Sequence, residues 1–123
     1  MHAWLCENPT GVDALNWKDI PTPKPKSGEV LIAIKAASLN FPDLLIVQNK
    51  YQYKPMLPFV PGSEYAGVVD AVGDGVQHLR PGQAVACFSG PVGSSPRVIA
   101  PAQLSIPFPA AFRFVSPTAF TML

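Results

Sequence analysis

Residues 38–64 read Ser38-Leu39-Asn40-Phe41-Pro42-Asp43-Leu44-Leu45-Ile46-Val47-Gln48-Asn49-Lys50-Tyr51-Gln52-Tyr53-Lys54-Pro55-Met56-Leu57-Pro58-Phe59-Val60-Pro61-Gly62-Ser63-Glu64, and the rest of the chain is organised around them. Asn40 followed by Asp43 predicts a helix start, because the Asn can cap free backbone N–H groups and the Asp favours the positive end of the helix. Phe41, Leu44, Leu45 and Gln48 then fall on one helical face by three-and-four spacing, and Asn49 with Tyr51-Gln52-Tyr53 marks the end and an exposed, cleft-lining loop. Val60-Pro61-Gly62-Ser63 reads as a tight turn, with Pro fixing φ and Gly tolerating a positive one, before Glu64 opens a strand.

Upstream, Glu29 to Ala37 is rich in Val, Leu, Ile and Ala and is the strongest strand pattern in the chain, which predicts a central position. His2 to Cys6 and Ala14 to Ile20 predict an opening hairpin broken by Asn8-Pro9-Thr10-Gly11. Pro21-Thr22-Pro23-Lys24-Pro25 is a stiff extended connector that leads to a turn at Ser27-Gly28. Downstream, Glu64 to Val72 is a strand whose internal Gly67 predicts a bulge or a close backbone approach. Gly73-Asp74-Gly75 and Arg80-Pro81-Gly82-Gln83 are turns, the second with Pro and Gly where a type II turn wants them. Ala84 to Phe88, Arg97 to Ala100 and Leu104 to Ile106 complete the strands. Ser116-Pro117 predicts a second helix start with Ser at the cap and Pro at the first helical position. Many short strands punctuated by turns predict a mainly β fold, a small barrel or sandwich, and the 15 prolines suit such a fold.

The bulk properties narrow the function. A chain of 123 residues holds one domain with a real core. Only 14% of residues are charged against about a quarter in an average domain, which leaves apolar surface for a partner. A net charge of +1 with no Lys/Arg stripe argues against nucleic acid. No apolar run approaches the ~18 residues of a membrane span and no leader pattern opens the chain, so a soluble cytoplasmic protein is expected. Cys6 and Cys87 lie in apolar strand patterns and read as buried thiols, while His2 and His78 lack metal-ligand neighbours and read as surface residues.

Four segments together resemble one family: Asn40-Phe41-Pro42-Asp43, Tyr51-Gln52-Tyr53-Lys54-Pro55, Pro58-Phe59-Val60-Pro61-Gly62-Ser63-Glu64-Tyr65-Ala66-Gly67-Val68-Val69, and Val72-Gly73-Asp74-Gly75-Val76. The chain resembles the N-terminal, GroES-like catalytic domain of the medium-chain dehydrogenase/reductase superfamily, on the zinc-independent NADPH:quinone oxidoreductase branch. The resemblance runs over the whole chain and implies a partly open β-barrel in residues 1–115, with residues 116–123 beginning a helix toward a nucleotide-binding Rossmann domain that these residues do not include. In the zinc-dependent members a Cys holds the place of Asn40 and a His the place of Ser63. Neither an amide nor a hydroxyl is an ordinary zinc ligand, so no metal is expected.

The resemblance further implies hydride transfer from NADPH to a quinone or an α,β-unsaturated carbonyl. Asn40 would lie near the nicotinamide and its ribose, Asp43 would hold that turn, Tyr51 and Tyr53 would line the acceptor pocket, and Thr121 would approach the nicotinamide. A homodimer is implied by the resemblance alone. The same residues also have plainer readings: Asn40 and Asp43 as helix caps, Tyr51 and Tyr53 as loop packing, Glu64 as a structural hydrogen-bond acceptor. Two departures stand out, Pro96 just ahead of the strand from Arg97, where it removes a backbone donor, and Gln83 in place of an Asp. Without the glycine-rich pyrophosphate cradle the chain alone is not expected to bind NADPH well, which leaves a non-enzymatic binding module or a decayed copy as the competing readings.

Overall fold

The computed structural model describes residues 1–88, 93 and 95–109. Among these described residues seven strands and one short helix follow one another in the order β1 (His2–Cys6), β2 (Leu15–Asp19), β3 (Glu29–Ser38), α1 (Phe41–Val47), β4 (Glu64–Val72), β5 (Ala84–Phe88), β6 (Arg97–Pro101) and β7 (Ser105–Pro107). Single 3₁₀ turns at Val12–Ala14 and Ala102–Leu104 precede β2 and β7. The fold is mainly β, as the density of turn residues predicts. The helix expected at Ser116-Pro117 and the role expected of Thr121 lie outside the described residues.

An antiparallel five-stranded sheet in the order β6-β3-β4-β5-β7 forms the body, and its two edge strands do not meet, so the barrel stays partly open. The strong Val/Ile/Leu pattern of β3 is paired on both sides, in keeping with its predicted central place. The expected hairpin is present as β1 against β2, with Trp4 opposite Trp17, and Ala14 falls in the preceding 3₁₀ turn instead of in the strand. A two-way backbone bridge between Cys6 and Phe59 ties this hairpin to the segment that leads into β4.

Alternation explains the core. Val30 and Ile32 of β3, Tyr65 and Val69 of β4, Val85 and Cys87 of β5, and Val98 and Ala100 of β6 occupy every second position and point to one interior. Val72 packs on the same cluster although it lies three residues past Val69; the β3–β4 register skips Asp70, and that extra residue resets the alternation. A second skip leaves Lys35 unpaired on β3. Gly67 sits directly opposite Ile34, where any Cβ would collide with the Ala33 carbonyl oxygen. The close backbone approach expected of Gly67 is therefore its reason for being glycine.

Pro96 keeps the β3–β6 ladder running as an acceptor, taking the Ile34 N–H on its carbonyl at 2.9 Å. The turn at Arg80–Gln83 closes as expected, with the Gln83 N–H on the Arg80 carbonyl at 3.2 Å and Gly82 at φ +91°. At Val60–Ser63 no closed turn forms; Gly62 does take φ +102°, and its carbonyl accepts the Gly93 N–H at 2.7 Å. Among the described residues no helix is long and apolar enough to cross a membrane.

Candidate functional site

The site grows from the junction of β3, α1 and β4. Asn40 leaves β3 with extended backbone and starts the helix, and the Asp43 side chain reaches back to accept the Asn40 backbone N–H on Oδ2 at 2.9 Å. The Asp43 backbone N–H returns a bond to the Asn40 carbonyl at 3.0 Å. The Asp43 half of this start is what an acidic third residue predicts, and the bond to the Asn40 carbonyl is a backbone turn bond. Asp43 is only 7% exposed, and its other oxygen accepts the Ser63 hydroxyl at 3.2 Å.

That second bond overrides the periodicity of the helix. The predicted face of Phe41, Leu44, Leu45 and Gln48 is not the buried one: Phe41 is 69% exposed and Leu44 38%. Asp43, Ile46 and Val47 face inward instead, Asp43 held by Ser63 and the two aliphatic residues packed with Cys6 and Phe59. A seven-residue helix with apolar residues on both sides is turned by whichever side has partners.

Glu64 lies behind Asn40, fully buried at the first position of β4. Its Oε2 accepts the Ser38 hydroxyl at 2.7 Å and the Asn40 amide nitrogen at 3.0 Å. Only the NH₂ end of an amide can face a carboxylate oxygen, so Glu64 fixes which way round Asn40 stands. Ser38, Asn40, Asp43, Ser63 and Glu64 thus form one hydrogen-bonded group that spans three elements. Asn40 and Ser63, distant in sequence, meet through Asp43 and share one region of the molecule.

In front of this group opens a groove of about 470 Å³. Trp4, Val12 and Leu15 from the opening hairpin form one wall; Leu39, Leu44 and Val47 from the helix side form the other. Asn40 and Asp43 both border it. The size is that of a small-molecule site, apolar with a few converging polar groups. Tyr51 stands elsewhere, half-buried against the cluster of Cys6, Ile46, Val47 and Phe59. Tyr53 is 52% exposed, and neither tyrosine borders the groove.

Sequence reasoning did not single out the hairpin wall or the joining role of Glu64. The signal for Glu64 was an acid placed directly before the apolar run Tyr65-Ala66-Gly67-Val68-Val69. Both cysteines are buried free thiols, as expected, and burial pushes the Cys6 thiol up. His78 is exposed, with its ring against the Ala102 carbonyl at 3.0 Å. Among the described residues no group of three or more His, Cys, Asp or Glu side chains stands together as a metal site would require.

A mainly antiparallel, partly open barrel with a polar cluster at the β3–α1–β4 junction beside an apolar groove defines a GroES-like domain of the kind found in medium-chain dehydrogenases. Residues 26–103 match the family model of the alcohol dehydrogenase GroES-like domain, and the chain belongs to that family. It is homologous to the zinc-independent quinone oxidoreductases of the superfamily. It is 42% identical over 71 residues to the quinone oxidoreductase of Rattus norvegicus, covering 58% of this chain and 22% of that protein. The structure of human synaptic vesicle membrane protein VAT-1 homolog-like protein superposes with a TM-score of 0.93 at 32% identity, over 99% of this chain and 40% of that one. Escherichia coli quinone oxidoreductase, solved as a complex with NADPH, superposes with a TM-score of 0.89 at 28% identity, over 97% of this chain and 36% of that one. The chain spans about a quarter of the length of the curated relatives it matches.

Proposed function

We propose that this chain is the catalytic-domain part of a zinc-free, NADPH-dependent oxidoreductase that reduces quinones or α,β-unsaturated carbonyls by hydride transfer. The observation that carries the reading is the Asn40–Asp43–Ser63–Glu64 group: where a zinc enzyme would bring ligands together, an amide and a hydroxyl are locked into hydrogen bonds with two carboxylates. Neither the amide nor the hydroxyl is an ordinary zinc ligand, and both carboxylates are engaged as hydrogen-bond acceptors within the group.

NADPH supplies the hydride when it is bound. Asn40 orients the nicotinamide end, and its own orientation is set by Glu64. Asp43 holds the turn that presents Asn40. The acceptor lies in the groove beside Asn40, which neither Tyr51 nor Tyr53 borders, and Thr121 approaches the nicotinamide from the far end of the chain. Each Asp43 oxygen already accepts a bond, so solvent delivers the proton that completes reduction. The pyrophosphate finds no cradle among the described residues: every strand pairing is antiparallel, and a glycine-rich βαβ turn is absent from them. A separate nucleotide-binding domain, a cytoplasmic location and a homodimer complete the reading.

The test is to join residues 1–123 to the remaining part of the rat quinone oxidoreductase and follow NADPH absorbance with a quinone in the presence of a zinc chelator. The expected result is steady quinone-dependent consumption of NADPH that the chelator leaves unchanged. A joined, folded protein that binds NADPH yet reduces no quinone or enone would contradict the proposal and leave a binding module as the reading.

A further inference from the structure

The groove holds more than a flat ring needs, and its chemistry is one-sided. Among the described residues that line it, the polar side chains Asn40 and Asp43 sit at one side against the β3–α1 junction, while Trp4, Val12, Leu15, Leu44 and Val47 are apolar. Asp43, which borders the groove, has both oxygens engaged, Glu64 is fully buried behind Asn40, and among the described residues no Lys, Arg or His lines the groove. Among the described residues an anionic occupant would meet the Asp43 carboxylate and no cation. An uncharged apolar chain would bury its surface against the hairpin wall at no electrostatic cost.

We propose that the groove between the β1–β2 hairpin and α1 is a binding site for an uncharged hydrocarbon tail, so that the acceptor is a lipophilic molecule whose polar head lies at Asn40 and whose tail runs along Trp4 and Leu15. This rests on the reading of the site as a reductase site, and deepens it by naming the substrate's second half. Trp4 acts as a specificity-determining wall. It is braced by Trp17 across the hairpin, with ring centroids 5.3 Å apart, and Trp17 in turn stacks on His2 at 5.8 Å. The wall is thus held in place from behind before any ligand arrives.

Binding to the 123-residue chain is read without NADPH by calorimetry and by quenching of tryptophan fluorescence, which keeps the tail site separate from the reductase activity. Three probes are compared: a benzoquinone with a decyl tail, the same ring without the tail, and decanoate. The tailed quinone is expected to bind at least about tenfold more tightly than the bare ring, since each buried methylene contributes several-fold. Decanoate is expected to bind at least about tenfold more weakly than the tailed quinone, because its charge faces the Asp43 carboxylate. Leu44→Asp, at a partly exposed position that tolerates a charge, should abolish the advantage of the tail. Leu104→Asp, on an exposed residue away from the groove, should preserve it. Equal affinity for tailed and bare rings, decanoate binding as tightly as the tailed quinone, or a tail preference that survives Leu44→Asp would each overturn the proposal.

Discussion

Glu64 shows how much one residue can decide. A fully buried carboxylate that accepts two hydrogen bonds from Ser38 and Asn40 is costly to remove, because both donors are then left without that acceptor. Glu64→Ala is expected to lower stability by roughly 3 kcal/mol in urea unfolding. Glu64→Gln, which keeps the shape and an acceptor oxygen, is expected to cost clearly less. Gly67→Ala should cost about 1–3 kcal/mol, since the added methyl must displace the Ala33 carbonyl in the neighbouring strand. The Gly67 contact was legible in the sequence, because a glycine inside an apolar strand run gives up packing and ladder stability unless a side chain has no room there. Glu64 was legible as an acceptor but not as the residue that orients Asn40, since only the folded chain brings their side chains together. At Cys6 the raised thiol and its burial predict slow reaction with a thiol reagent in the native protein and fast reaction once urea unfolds it.

Among the elements, the opening hairpin is the one most dependent on surface charge. Lys18 hydrogen-bonds Glu7 across it and holds that carboxyl below its ordinary 4.5, with Asn16 adding a second bond. The Met1 ammonium does the same for Asp19, below its ordinary 3.8. Both folded values are depressed, so the stabilisation is complete above the unfolded values and is lost as pH falls through the folded ones. Amide hydrogen exchange in β1 and β2 should therefore become faster relative to the five-stranded sheet as pH drops below about 4, after correction for intrinsic rates. Unchanged relative protection would show that these exposed pairs carry nothing. Helix α1 marks the limit of pattern reading: its start was legible from Asn40 and Asp43, but not its buried face. Apolar residues lie on both sides, and the choice is made by Ser63, Cys6 and Phe59 from other elements. The skips at Lys35 and Asp70 were hidden for a similar reason, because register is a property of two strands.

For the molecule as a whole, the low charge content and the exposed apolar side chains around the groove belong together. Trp4, Val12, Leu39 and Phe41 remain open at the same junction that gathers Asn40, Asp43 and Glu64. Calorimetric titration of the 123-residue chain with NADPH should give no micromolar binding, because the described residues contain no place for the pyrophosphate. The walls contributed by the hairpin could not be foreseen from the sequence, since they depend on how β1 and β2 are docked through the Cys6–Phe59 bridge. The central claim is that Asn40, held by Glu64, serves nicotinamide chemistry without an ion. It is tested most directly by kcat/KM for NADPH-dependent quinone reduction in the protein joined to a nucleotide-binding domain, with and without Asn40→Ala and always under chelation. The account predicts a loss of at least about tenfold, the scale of one positioned hydrogen bond of roughly 1.4 kcal/mol. An unchanged kcat/KM in a folded Asn40→Ala protein, or activity that appears only when zinc is restored, would contradict it.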